Sequence, residues 1–172
     1  MKILVFGPSG SGKTYIANEL RKLGINAFDT DQIKGLSAWY DRNGQKVAEP
    51  KKPDEALKNH YSFLWSRKFL DGFISKYNNV FIFGGAGNLF SMIDLFDRVY
   101  FLKIDSQTQK ERIQNSTTRN SQLDFQNNNL VIWGKWLEEE ARKKNIPFIS
   151  GTLSPKEIYS IISSENGASK KN

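Results

Sequence analysis

The stretch Gly7-Pro8-Ser9-Gly10-Ser11-Gly12-Lys13-Thr14 decides how this chain is read. It fits the spacing G-x-x-x-x-G-K-[ST]. Before it stands a short apolar run, residues 3–6, which reads as a buried strand. After it, Ile16, Leu20 and Leu23 recur at i, i+4 and i+7, so residues 13–23 read as a helix that Gly24 stops. Glycines let a backbone close around a phosphate, and successive amides then point inward as an anion nest. A helix N-terminus adds partial positive charge at the same place. Gly7, Ser9, Gly10, Ser11, Gly12, Lys13 and Thr14 are therefore candidate nucleotide contacts. Lys13 is expected at the β- and γ-phosphates and the Thr14 hydroxyl on Mg²⁺, which makes ATP and Mg²⁺ the expected cofactors. A plain glycine-rich turn gives no reason for Lys-Thr at these two positions.

Outward from the loop, apolar runs alternate with helical patterns. Strands are expected at 26–28, 80–83, 99–102 and 147–149. Helices are expected at 54–77, where Leu57, Tyr61, Leu64, Phe69 and Phe73 are apolar, and at 88–96, 107–115, 130–144 and 155–163. Residues 30–53 form a long connection with an Asn43-Gly44 turn, and 116–129 form a polar stretch. The strand candidates are apolar throughout rather than alternating, which means burial on both faces. Strands spaced by helices mean a parallel sheet. The expected fold is a three-layer α/β/α sandwich around a five-stranded parallel sheet. It forms one domain over 1–164, followed by a frayed tail at 165–172.

Composition narrows the chemistry. The 172 residues include no cysteine, which excludes disulfides, thiolate catalysis and Cys-ligated metals. One histidine, His60, excludes a His-rich metal site and is expected to be structural. No apolar run approaches the roughly 18 residues of a membrane span, so no membrane partner is expected. The apolar run at the N-terminus is too short for a signal peptide, and the expected address is the cytosol. Lys and Arg total 25 against 18 Asp and Glu, a net charge of +7. No run of five basic residues marks a nucleic-acid arm, so a generally basic surface around a phosphate site is the favoured reading over a nucleic-acid partner.

With this loop in this setting, the chain resembles the P-loop NTPases. The GTPase signature [NT]-K-x-D has its nearest match at Leu102-Lys103-Ile104-Asp105, which lacks the first polar residue. Asp41-Arg42-Asn43-Gly44 matches D-x-x-G, but no aliphatic strand leads into it. Motor ATPases carry a strand ending in Asp-Glu, whereas Phe81-Ile82-Phe83 runs into Gly84-Gly85-Ala86-Gly87. The resemblance is to the nucleotide-kinase-like branch, the shikimate kinase-like and adenylate kinase-like small-molecule kinases, and it covers nearly the whole chain.

Three motifs carry that resemblance. Asp29-Thr30-Asp31 matches the family's D-[ST]-D at the end of the second strand. It implies that Asp31 orients or deprotonates the acceptor hydroxyl and that Asp29 helps hold Mg²⁺. Gly84-Gly85-Ala86-Gly87-Asn88 looks like the glycine motif that gives the acceptor close access to backbone at Gly84 and Gly85. Arg112 and Arg119 match the family's pair of arginines, one beside the adenine and one on a mobile lid, here residues 116–129.

Residues 30–53 are then the acceptor loop. There, Trp39 with Tyr40 reads as a stacking platform for a base or sugar, or equally as local packing. Arg67, on the long helix, is a candidate for holding an anionic acceptor. Trp65, Trp133 and Trp136 lie in helical patterns and read as core or interface. Where shikimate kinases carry a further arginine, this chain reads Trp133-Gly134-Lys135-Trp136-Leu137-Glu138, and the expected acceptor is a nucleoside, nucleotide or other small molecule. The expected activity is phosphoryl transfer from Mg-ATP to a hydroxyl or phosphate of that acceptor. The alternatives are an ATP-binding regulatory module and a polynucleotide-end kinase.

Overall fold

The computed structural model describes residues 1–51, 55–115 and 129–164. Strand β1 (Lys2–Phe6) leads into the glycine loop and helix α1 (Lys13–Lys22). Strand β2 (Ala27–Asp29) ends in a 3-10 turn at Thr30–Gln32. Strands β3 (Ser37–Tyr40) and β4 (Lys46–Val47), the short helix α2 (Glu55–Lys58) and strand β5 (Ser62–Trp65) follow. Next come helix α3 (Arg67–Ile74), strand β6 (Val80–Phe83), strand β7 (Arg98–Lys103) and helix α4 (Ser106–Gln114). Helix α5 (Asn129–Lys143), strand β8 (Phe148–Ser150) and helix α6 (Pro155–Ser163) complete the described chain.

The main sheet is parallel, in the order β2-β6-β1-β7-β8, with β1 at its centre. Its two outer strands have three residues each. Successive residues of the inner strands feed opposite faces. Ile3, Val5, Phe81 and Phe83 pack with Ile16, Ala17 and Leu20 of α1 and with Ile158 and Ile162 of α6. Leu4, Phe6, Val80 and Ile82 pack on the other side with Leu70 and Ile74 of α3 and with Leu137 and Ala141 of α5. Apolar burial on both faces accounts for strands without polar alternation. The expected three-layer α/β sandwich around five parallel strands is the observed fold.

The stretch 30–77 departs from expectation. Residues 54–77 were expected as one helix; among the described residues they are α2, β5 and α3. His60 sits at φ 55 and turns the chain out of α2. Ser62–Trp65 then pairs antiparallel with β3, and the Ser66 side chain caps α3 by accepting from the Phe69 amide at 3.3 Å. The 30–53 connection is likewise structured over its described residues, 30–51. Its β3–β4 hairpin turns at Asp41–Gln45, where Gly44 has φ 75 and the Asp41 carboxylate accepts from the amides of Asn43 and Gln45. The result is a separate small antiparallel sheet, β4-β3-β5. Residues 88–96, expected as a helix, form two 3-10 turns, Leu89–Ser91 and Ile93–Leu95. No helix among the described residues is long and apolar enough to cross a membrane.

Candidate active site

The glycine loop leaves β1 at the carboxyl edge of the sheet. Gly10 and Gly12 have φ 78 and φ 97, in the left-handed region where glycine carries no Cβ penalty. Neighbours press on the loop from three sides. A Cβ on Gly7 would lie 2.5 Å from the Leu102 carbonyl oxygen of β7. From α4, Gln109 Nε2 donates to the Ser9 carbonyl at 2.9 Å. Arg112 donates to the carbonyls of Ser11 at 3.3 Å and Gly151 at 3.0 Å. From α5, a Cβ on Gly134 would come within 3.0 Å of Pro8 Cβ.

Lys13, the first residue of α1, folds back over the loop. Its Nζ donates to the carbonyls of Gly7 and Pro8, both at 2.8 Å, and to Ser11 Oγ at 3.2 Å. Burial lowers its pKa to about 8, against the opposing pull of Asp31 and then Asp29. Those two carboxylates come from the end of β2. Asp29 is 3% exposed, and its Oδ1 accepts from the Asp31 amide at 2.9 Å, capping the 3-10 turn. The Asp31 carboxyl is pushed up from the usual range, first by the protein packed around it and then by Asp29, while Lys13 pulls it down. Asp31 as a residue is nevertheless exposed, so its carboxyl is partly desolvated yet within reach of solvent.

The second glycine loop locks onto this pair. Gly84 has φ 155, and a Cβ there would fall 1.7 Å from Thr30 Oγ1, so glycine is what lets the chain pass between β6 and the Asp29-Thr30-Asp31 turn. Its amide donates to the Val5 carbonyl of β1 at 3.1 Å. Gly85 lies under Trp133, whose Cη2 would be 3.1 Å from an added Cβ. Asn88 holds the far end of the loop: its side chain bonds both the amide and the carbonyl of Trp65, each at 2.9 Å. The Gly87 amide donates to the Phe63 carbonyl at 2.8 Å. The small sheet is thus pinned to the second glycine loop by the Gly87 amide and the Asn88 side chain.

The candidate residues Gly7 to Thr14, Arg112, Asp29, Asp31, Gly84 and Gly85 therefore belong to one region at the carboxyl edge of the sheet. Two others have partners elsewhere. The Arg67 guanidinium is held by both carboxylate oxygens of Asp94 and by the Ser91 carbonyl. Trp39, on β3, has its ring 5.3 Å from that of Phe63 across the small sheet. Arg119 and the proposed lid at 116–129 lie outside the described residues, apart from Asn129, the first residue of α5. Sequence reading passed over Thr30, Gln109 and the Trp133-Gly134 pair. A glycine inside a helix was the available signal for the last, since it costs about 1 kcal/mol relative to alanine and needs a packing reason.

The donor set suits magnesium. Among the described residues no three His, Cys, Asp or Glu side chains gather as a metal cage. Magnesium at a phosphate site needs none, because it takes one or two protein oxygens and fills its octahedron with phosphate and water. The Thr14 hydroxyl and the Asp29 carboxylate are the oxygens that fit.

A family described as an AAA domain matches residues 3–134, most of the chain and all the groups above except Gly151. The chain belongs to the AAA domain family. No curated protein matches it. It is similar to the solved structure of a shikimate kinase from Aquifex aeolicus vf5, at 20% identity and TM-score 0.46, over 93% of this chain and 92% of that one. It is similar to a deoxyadenosine kinase from M. mycoides solved with the products dCMP and a flexible dCDP bound, at 18% identity and TM-score 0.48, over 95% and 96%. A gluconokinase from Sinorhizobium meliloti 1021 matches at 16% identity and TM-score 0.47, over 92% and 87%.

Proposed function

We propose that this AAA domain chain is a small-molecule or nucleotide kinase that transfers the γ-phosphoryl group of Mg-ATP to an acceptor oxygen. The observation that carries the reading is Asp31. It is a carboxylate with a raised pKa, electrostatically coupled to the phosphate-loop lysine and carried on an exposed residue at the end of β2. A module that only binds nucleotide as a signal has no need of such a base there, and one that hydrolyses it would turn the base on water, which the transfer assay below distinguishes.

In the proposed step the acceptor oxygen attacks the γ-phosphorus as the bond to the β–γ bridging oxygen breaks. The acceptor proton passes to Asp31, and ADP leaves with the electron pair. A carboxyl held above its ordinary range is better matched to taking that proton near neutral pH than a fully solvated one. The loop amides and Lys13 hold the phosphates, and Thr14 and Asp29 would hold a Mg²⁺ ion whose contribution would be to offset phosphate charge. Arg112 holds the nucleotide side of the loop. Arg119 is proposed to stabilise charge on the transferred group. Gly84 and Gly85 give the acceptor access to backbone. The setting is proposed to be the cytosol.

The test pairs calorimetric ATP titration with a screen of labelled-ATP transfer over nucleosides, nucleotides and small alcohols. Wild type is expected to modify one acceptor class. Asp31→Asn keeps size and hydrogen bonding but cannot take the proton, so transfer should fall roughly 10²–10⁴-fold while ATP binding persists. Transfer at the wild-type rate in Asp31→Asn would remove Asp31 from the chemistry and with it the reason for preferring a kinase.

A further inference from the structure

Helix α5 touches both loops with adjacent residues. Gly134 is buried against Pro8 of the phosphate loop, and Trp133 lies over Gly85 of the acceptor-side loop. Both contacts depend on a missing side chain. A Cβ on Gly134 would be 3.0 Å from Pro8 Cβ, and one on Gly85 would be 3.1 Å from Trp133 Cη2. An added methyl group at either place would be closer than ordinary carbon–carbon contact, so at each place the bare glycine backbone is what faces the neighbouring ring.

We infer that Trp133 and Gly134 are positioning residues that couple occupancy of the phosphate loop to the acceptor-side loop. The inference rests on the nucleotide-binding reading above. The relay has a defined start. Lys13 Nζ holds the Gly7 and Pro8 carbonyls at 2.8 Å. A phosphate that draws the ammonium toward itself loosens that hold, and the Pro8 ring shifts against Gly134. A helix moves as a rigid unit, so the displacement reaches Trp133 one residue away and is delivered to Gly85. Gly85 in turn follows Gly84, whose bare Cα is wedged against Thr30 between the two acidic residues. The path thus runs from the phosphate loop to Asp31 through packed atoms at each step, and nucleotide binding sets the acceptor side for reaction. Half-buried Trp133, with part of its ring open, is the one indole in the path.

Hydrogen exchange of the intact chain with and without Mg-ATP tests this, read separately over residues 7–14 and 84–88. In wild type, Mg-ATP should slow exchange in both loops, and the slowing at 84–88 should be roughly 5–150-fold, the range of ordinary coupling between sites. Trp133→Ala and Gly134→Ala should keep the slowing at 7–14 and lose it at 84–88, while Trp133→Phe should recover part of it. Gly134→Ala gains helix propensity but presses a methyl group on Pro8, so its melting temperature is measured alongside, and Trp133→Ala with Trp133→Phe carries the test if it falls. An unchanged response at 84–88 in both alanine variants, or none in wild type despite slowing at 7–14, overturns the coupling. Absence of slowing at 7–14 in wild type overturns the nucleotide reading itself and the coupling with it, a result distinct from the other two.

Discussion

Lys13 joins stability and ligand affinity through one proton. Its pKa of about 8 in the folded chain stands below the ordinary lysine value of 10.5, because burial disfavours the ammonium. Between those values the unfolded chain holds more protons than the folded one, so the contribution of Lys13 to stability rises with pH across that window. Phosphate oxygens act in the other direction by favouring the charged form. Nucleotide binding should therefore take up about half a proton at pH 8 and almost none at pH 6.5, and affinity should weaken by up to about tenfold per pH unit above 8. Calorimetry in buffers of different ionisation heat reads the uptake directly, and Lys13→Met should abolish it. Asp31 has the opposite sign for an acid. Its raised pKa means that the fold resists ionising it, so Asp31→Asn should melt at or above the wild-type temperature at pH 7 even as transfer collapses. A melting point several degrees below wild type would mean that Asp31 is a structural cap.

At the scale of elements, the two glycine loops are held by close approach rather than by flexibility. Gly84→Ala would place a methyl group 1.7 Å from Thr30 Oγ1, and backbone must move to admit it. The expected loss is about 1–3 kcal/mol in denaturant melts. Part of it should return in the double variant with Thr30→Ala, which removes the hydroxyl and Cγ2 but leaves the Thr30 Cβ. Asn88→Ala strips two hydrogen bonds from the Trp65 backbone and should cost about 1–3 kcal/mol, loosening the small sheet first, which amide exchange across β3 and β5 would show. The phosphate loop, the five parallel strands and their helices were legible because local pattern and tertiary burial agree there. The small sheet was not. Leu57, Tyr61 and Leu64 fall at helical spacing, while Phe63-Leu64-Trp65 is also a short aromatic-rich apolar run of the kind strands use. The choice between the two lies in pairing with β3, more than twenty residues away. Asp29 and Asp31 stood out through the resemblance to the D-[ST]-D motif; the wedge of Gly84 against Thr30 depends on which strand lies beside β2 and is invisible in one dimension.

For the whole molecule, a ligand that binds only the folded state stabilises it by mass action. Mg-ATP at about a hundred times its dissociation constant adds about 2.7 kcal/mol, worth roughly 5–10 °C in a chain of this length. Thermal scans should show that shift in wild type and in Asp31→Asn and lose it in Lys13→Ala; an equal shift in Lys13→Ala would separate stabilisation from the phosphate loop. One feature of the architecture bears on how copies of the chain meet each other. The main sheet ends on both sides in strands of three residues, β2 and β8. A short edge offers few unpaired amides and carbonyls to a neighbour, so sheet-to-sheet continuation, the usual template for ordered aggregation, has little to grip. A net charge of +7 adds mutual repulsion at neutral pH. Concentrated solutions should therefore stay dispersed at low salt, and any self-association should be built on helix surfaces instead of joined strands.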